Sequence, residues 1–134
     1  MGIQGLIQLL EKATTGIDIK DLKGSVCVVD GYGWLHKACY ACADQLYVGQ
    51  HTDQYIYYCL RRTQLLIDAG IKPIVVFDGQ RLPAKEFTHN NRQTIRHNVR
   101  QKIELLLTEG QENKAKDLMR SCIEITPKMA KNLV

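Results

Sequence analysis

Two Asp-Gly pairs could do chemistry, because each follows a short apolar run with the composition of a β-strand. Asp30 ends SVCVVD at residues 25–30, and Asp78 ends PIVVFD at residues 73–78. Ligands of parallel sheets gather outside the carboxyl ends of the strands. If these strands are neighbours, the two carboxylates share one crevice, which is unfavourable unless a cation joins them. The pattern therefore predicts a site for Mg²⁺ or Mn²⁺; the alternative is that each Asp caps the turn after it.

A row of basic side chains follows the second Asp-Gly pair. Spacings of three and four residues place its members on one face of a helix, the basic face, which consists of Lys85, His89, Arg92, Arg96 and Arg100. Like charges at this spacing repel each other, but they are well suited to phosphate oxygens. Residues 80–134 carry 11 basic and 6 acidic residues, against 7 and 8 in residues 1–79. The pattern predicts contact with a polyanion, and the alternative is a solvated helix face.

Two residues close to Asp30 are candidates for nucleic-acid contact. Tyr32 could stack on a nucleobase or be a half-buried aromatic, and His36, one helical turn further on, could reach a phosphate. Cys39 and Cys42 form a C-x-x-C pair, but no second ligand pair follows them. We interpret these cysteines as small apolar residues on a helix, with a zinc or redox site as the alternative.

The elements that must position these residues alternate between helix and strand. Periodicity, caps and breakers predict helices at about 2–13, 34–47, 53–69, 83–109 and 111–121, and another that begins at Thr126-Pro127. The first of these is expected to pack by one apolar face. The two strands, 25–30 and 73–78, are continuously apolar, as in a sheet buried on both faces. A strand–helix–strand order indicates an α/β fold with a parallel sheet.

Composition excludes several classes of protein. The 134 residues are 45% hydrophobic and 24% charged, which is typical of one globular, soluble domain. No apolar run approaches the roughly 20 residues of a membrane span, and the N-terminus lacks the features of a secretory signal. The odd number of cysteines, five, favours free thiols in a reducing compartment.

Taken together, these motifs resemble the structure-specific 5′ nuclease family, which includes flap endonuclease, and within it the exonuclease branch. The resemblance covers essentially the whole chain and rests on MGIQGL at 1–6, VVDGYGWLHKA at 28–38, GIKPIVVFDGQRLPAK at 70–85 and the basic helix. It implies a PIN-like α/β fold with flanking helices and a basic helical arch. The corresponding division is a core portion at 1–79, an arch region at 80–121 and the start of a helix at 122–134. Because the family's site uses further carboxylates, we expect the N-terminal portion of a nuclease domain.

The resemblance also implies roles for individual residues. Asp30 and Asp78 match metal ligands, Lys85 and Arg92 match the basic pair that contacts the scissile phosphate, and Tyr32 matches the aromatic on which the terminal base packs. The other predicted DNA contacts are Gly2, His36, Arg96 and Arg100. The implied activity is two-metal hydrolysis, with Mg²⁺ or Mn²⁺, at DNA 5′ ends, flaps, nicks or gaps, in nuclear DNA repair and without a membrane. The alternative is a DNA-binding fragment that cleaves nothing.

Overall fold

The computed structural model describes residues 4–79 and 83–134, and for Lys85 and His89 it describes the backbone alone. Its helices are α1 Leu6–Leu10, α2 Gly31–Cys39, α3 Ala43–Tyr47, α4 Gln54–Asp68, α5 Glu86–Thr108, α6 Glu112–Ser121 and α7 Pro127–Lys131. Its strands are β1 Val26–Asp30 and β2 Lys72–Val76. None of these helices combines the length and the apolar character that crossing a membrane requires.

The two strands pair in parallel, which confirms the predicted α/β class. The register runs from Val26 beside Lys72 to Asp30 beside Val76. β2 ends two residues earlier than predicted, so Asp78 lies in the segment that follows the strand and not within it. The crossover between the strands runs through α2, α3 and α4, as a parallel connection requires.

One face of this sheet is bare among the described residues. Val28 is 68% exposed, and Val26, Ile74 and Val76, which share its face, are exposed as well, whereas Val29 on the other face is buried. The expectation of a sheet buried on both faces is therefore wrong for the described residues. The physical reason is that helices cover a single face, where α4 packs against β2. A continuous apolar run shows that both faces of a strand can be buried, but it does not determine which elements cover them.

Buried side chains form two clusters. The larger one joins α2 and α4 to the C-terminal segment and consists of Leu35, Ala38, Cys39, Cys42, Ala43, Tyr55, Cys59, Ile123 and Ala130. The smaller one joins α5 to α6 and consists of Ile103, Ala115, Met119 and Cys122. Residues 122 and 123 therefore belong to different clusters, and the short segment between α6 and α7 ties the two together.

Two of the predicted helices differ from the structure. The predicted helix at 2–13 is the five-residue α1 followed by a 3₁₀ turn, Glu11–Ala13, and its expected packing face is open, since Ile7 is 87% exposed. The predicted helix at 34–47 begins earlier, at Gly31, because Asp30 caps it. It is also interrupted by a 3₁₀ turn at Tyr40–Cys42, where α2 gives way to α3. The predicted start at Thr126-Pro127 is confirmed, with Thr126 as the N-cap of α7.

Candidate metal and nucleic-acid site

Asp30 lies where β1 turns directly into α2, and its side chain caps the helix. Its Oδ1 accepts a hydrogen bond from the backbone N–H of Gly33 at 3.1 Å. The capping alternative is thus realised, but it uses only part of the acceptor capacity of a carboxylate. The side chain is solvent-exposed, so acceptor capacity remains available for a ligand. The cap fixes the orientation of the carboxylate at the helix N-terminus, where negative charge is favourable.

Asp78 lies at the same edge of the sheet. Asp30 pairs with Val76 across the ladder, and Asp78 follows Val76 by two residues with an exposed side chain. The structure therefore brings the two predicted ligands to one edge. Their oxygens fit a hard divalent cation, but the described residues contain no group of three His, Cys, Asp or Glu side chains that could hold one. The pair supplies part of a metal site, and its assignment as ligands stays a prediction.

The turn after Asp30 is closely packed by two aromatic rings. Phe77 meets Tyr32 edge to face, with ring centroids 5.6 Å apart and planes at 86°. A Cβ at Gly31 would lie 2.5 Å from Cε1 of Phe77, so only glycine fits here without displacing that ring. Tyr32 is half-buried against the larger core cluster. Its ring is thus fixed directly beside the carboxylate edge, and its predicted stacking on a base stays a prediction.

His36 connects the carboxylate edge with the basic face. His36 is exposed at its surface but partly desolvated, and this desolvation lowers its pKa; the positive charges of Arg96 and Arg92 lower it further, and the negative charge of Asp30 opposes them. These influences indicate that Arg96 and Arg92 of α5 lie within electrostatic range of His36 on α2, as does Asp30. The structure therefore gathers four of the predicted site residues in one electrostatic neighbourhood. A lowered pKa favours neutral His36 at pH 7, so in the free protein it offers a hydrogen bond more than a positive charge.

The arginines of the basic face differ in their surroundings. Arg92 and Arg100 are exposed, but the side chain of Arg96 is only 21% exposed and its Nη1 lies 3.3 Å from Oε1 of Glu124. The backbone carbonyl of Arg96 also accepts a hydrogen bond from the thiol of Cys122 at 3.7 Å. Arg96 is therefore an anchored cation, and Glu124 is a site neighbour that the sequence reasoning missed. No periodic or motif signal links positions so far apart in sequence.

The remaining predicted site residues are described only in part. Lys85 ends a 3₁₀ turn, Pro83–Lys85, that leads into α5, and His89 lies in the first turns of that helix. Their side chains, and the whole of Gly2, lie outside the described residues. Their predicted contacts with DNA stay predictions.

The C-x-x-C cysteines belong to the larger core cluster. Burial raises the pKa of the Cys39 thiol to about 12, with the neighbouring Cys42 and Cys59 adding to the shift. Burial also raises the pKa of Cys42. Both residues are buried and have free thiols. Protonated thiols in an apolar environment are poor nucleophiles and poor metal ligands, so the interpretation as apolar core residues fits their positions.

Comparison with known proteins decides the family. The family model described as "XPG N-terminal domain" matches residues 1–99. The chain belongs to the XPG N-terminal domain family. Over all 134 residues it is 43% identical to Exonuclease 1 of Drosophila melanogaster and 36% identical to Exodeoxyribonuclease 1 of Saccharomyces cerevisiae (strain ATCC 204508 / S288c). It is also 34% identical over 134 residues to the DNA damage-inducible protein DIN7 of the same yeast.

These relatives confirm the resemblance to the exonuclease branch of the 5′ nucleases. The matches cover 100% of this chain but 18%, 19% and 31%, respectively, of the relatives' own lengths. The chain thus spans about a fifth of the first two relatives and under a third of the last. The matched part of this chain includes both Asp-Gly pairs and the basic face.

Proposed function

We propose that this chain is the N-terminal portion of a divalent-metal-dependent 5′→3′ DNA exonuclease and 5′-flap endonuclease that acts in DNA repair in the nucleus. The observation that carries the proposal is one juxtaposition. Two carboxylates lie at the carboxyl edge of a parallel pair of strands, and two arginines of α5 act electrostatically on His36, which Asp30 also influences. The names of the relatives, two exonucleases and a DNA damage-inducible protein, support the same activity and role.

Phosphate recognition is the task of the basic face. Arg92 and Arg100 are exposed and free to meet the strand, and guanidinium groups bind phosphate oxygens through two parallel N–H bonds. In the proposed reaction Lys85 and Arg92 neutralise the charge that develops on the scissile phosphate. Because the favourable charge is concentrated on α5, binding falls as salt rises, by about one power of salt concentration per phosphate contacted.

The carboxylate edge is the proposed place of the reaction. Asp30 and Asp78 would hold part of a site for Mg²⁺, or Mn²⁺ in its place, and a bound divalent ion supplies a nucleophilic hydroxide at neutral pH and charge stabilisation at the phosphate. The backbone N–H of Gly33 keeps the Asp30 carboxylate oriented toward that site. Tyr32, packed on Phe77, would support the terminal base, and Gly2 would lie near the DNA end.

A second candidate function is DNA binding without cleavage. It is favoured by the small number of carboxylates at the edge, since within residues 4–79 and 83–134 no third potential ligand joins a cluster. Hydrolysis through a metal pair needs several ligands to hold both ions about 4 Å apart. Residues 1–134 by themselves would then bind DNA through the basic face without cleaving it.

One experiment separates the two functions. We would incubate residues 1–134 with a 5′-flap duplex and a recessed-end duplex in Mg²⁺ or Mn²⁺, beside the variants Asp30→Asn and Asp53→Asn. Asn is a good N-cap, so Asp30→Asn retains the hydrogen bond from Gly33 while removing the anionic ligand. Asp53 precedes α4 without a side-chain cap bond and serves as the charge-matched control.

Metal-dependent cleavage that Asp30→Asn abolishes and Asp53→Asn leaves intact would support the nuclease. Equal cleavage by all three proteins would contradict the assignment of Asp30 as a ligand. Salt-sensitive binding of the duplexes without any cleavage would favour the second candidate for these residues.

A further inference from the structure

Arg96 is the member of the basic face that the fold holds in place. Its side chain is 21% exposed, and its guanidinium nitrogen Nη1 lies 3.3 Å from Oε1 of Glu124. Among the side chains that the structure describes, Glu124 is the one carboxylate at ion-pair distance from an arginine of this face. Glu124 thus places a negative charge on a surface whose other charges attract phosphate.

The backbone around Glu124 is anchored on both sides. Cys122 is buried in the cluster between α5 and α6, and Ile123 is buried in the cluster around α2 and α4. On the other side, Thr126 caps α7, which packs against α2. The backbone that carries Glu124 is thus fixed on both sides, which gives its carboxylate a fixed point of attachment beside the long side chain of Arg96. A charged partner at such a position can reduce the number of rotamers that Arg96 samples.

The charge of Arg96 in this position acts on His36. The positive charge of Arg96 is the largest electrostatic influence that lowers the pKa of His36, ahead of that of Arg92. His36 in turn is influenced by Asp30 at the end of β1. The guanidinium held by Glu124 is therefore linked electrostatically to the same histidine as Asp30, and its remaining N–H groups can still donate to a phosphate.

We propose that Glu124 is a positioning residue, which holds the guanidinium of Arg96 between α5 and α2 so that it meets a DNA phosphate already oriented. The proposal deepens the proposed function and rests on it for the identity of the phosphate. Preorganising a cation in this way strengthens binding, because the cost of ordering the side chain is met in the free protein. The opposite role, a carboxylate that competes with phosphate for Arg96, is the outcome that would overturn it.

The first test uses the free protein and needs no DNA. We would follow the pKa of His36 by NMR titration in residues 1–134, with His36→Gln to assign the signal, and compare Glu124→Gln with Asp117→Asn. Asp117 forms the other arginine–carboxylate pair of the described residues, with Arg120 at 2.9 Å on α6, so its variant removes the same charge away from the site. If Glu124 holds Arg96 in place, Glu124→Gln releases the guanidinium and the pKa of His36 rises, while Asp117→Asn leaves it unchanged. An unchanged or lower pKa in Glu124→Gln would show that Arg96 stays without its partner and would overturn the proposal.

The second test is a double-mutant cycle on DNA affinity. We would measure binding of a 5′-phosphorylated recessed-end duplex by fluorescence anisotropy for the parent chain, Arg96→Gln, Glu124→Gln and the double variant. Positioning predicts that Arg96→Gln weakens binding about fivefold in the parent and less than about twofold when Glu124 is already replaced. A larger effect of Arg96→Gln in the Glu124→Gln background would mean competition and contradict the proposal. If no variant binds DNA, the proposed function fails, while the His36 titration still decides whether Glu124 positions Arg96.

Discussion

The turn after β1 and the basic helix α5 carry the two halves of the candidate site, and they are held in different ways. At the turn, Asp30 is fixed by a local cap and by the packing of Phe77 on Tyr32. In α5 the packing lies toward the C-terminal end, where Ile103 is fully buried against α6, while Phe87 near its start is 84% exposed. The carboxylate is thus fixed by its immediate neighbours, whereas the arginines are positioned by packing at the other end of their helix.

This difference fits the tasks that the proposed function gives to the two regions. A metal ligand must be held to within a fraction of an ångström, which requires a cap and tight packing. A face that receives a flexible nucleic-acid strand gains from adaptable side chains whose attraction acts over several ångströms. Arg96 combines both properties, because it belongs to the basic face and is held in place by its ion pair with Glu124.

Removing the buried anchor of α5 should have the largest effect on stability. Ile103→Ala leaves a cavity in the cluster between α5 and α6, and we expect it to lower the free energy of unfolding by about 2–5 kcal/mol. Ile95→Ala, on the same helix but 54% exposed, is the control and should cost less than about 1 kcal/mol. Urea denaturation followed by circular dichroism measures both. Equal losses would mean that α5 is not anchored at its C-terminal end.

The turn can be tested by crowding it. Gly31→Ala places a methyl group 2.5 Å from the Phe77 ring, and we expect a loss of about 1–3 kcal/mol as that ring shifts away from Tyr32. Gly16→Ala is the matched control, because a Cβ there meets nothing within 4 Å. A change in the near-ultraviolet circular dichroism of Gly31→Ala alone would report the displaced aromatic pair. Unaltered spectra and stability would show that the turn tolerates a side chain.

A smaller effect separates the two roles of Asp30. Asp30→Ala loses the cap of α2 and should destabilise the protein by about 1 kcal/mol, whereas Asp30→Asn keeps an acceptor for the N–H of Gly33 and should cost only a few tenths. Thermal unfolding of both variants measures this difference. Similar destabilisation by Ala and Asn would mean that the charge of Asp30, and not its capping bond, stabilises the turn.

The smallest expected effect is on pH dependence. Because the pKa of His36 is lowered in the folded protein, protonation favours the unfolded state, so stability is lost as the pH falls from about 7 through the folded pKa. His36→Gln should flatten this part of the stability profile. Arg92→Gln should raise the pKa of His36 toward its ordinary value, because one of the two cations that lower it is gone. The loss of stability at low pH should therefore be smaller in this variant. A profile in His36→Gln that is as steep as in the parent would show that other groups cause the loss.

Local signals in the sequence predicted much of the fold. The glycines that end α4 and α5, the Thr126-Pro127 start of α7 and the strand that ends on Asp30 lie where the sequence indicates, because caps, glycines and prolines act on adjacent backbone. The predictions that failed concern packing. The outer faces of β1 and α1 are apolar and were expected to be buried, but burial depends on which elements meet, and none of the described elements covers them.

Residue type and local periodicity follow directly from the order of the amino acids, so the two carboxylates after the strands, the spacing of the basic face and the family could be predicted without coordinates. Long-range packing was needed to show that Asp30 and Asp78 share one edge, that arginines of α5 act on His36, and that Glu124 meets Arg96. These contacts join residues distant in sequence, and they arise from the parallel register and the two core clusters, which bury apolar side chains irrespective of the polar groups they bring together.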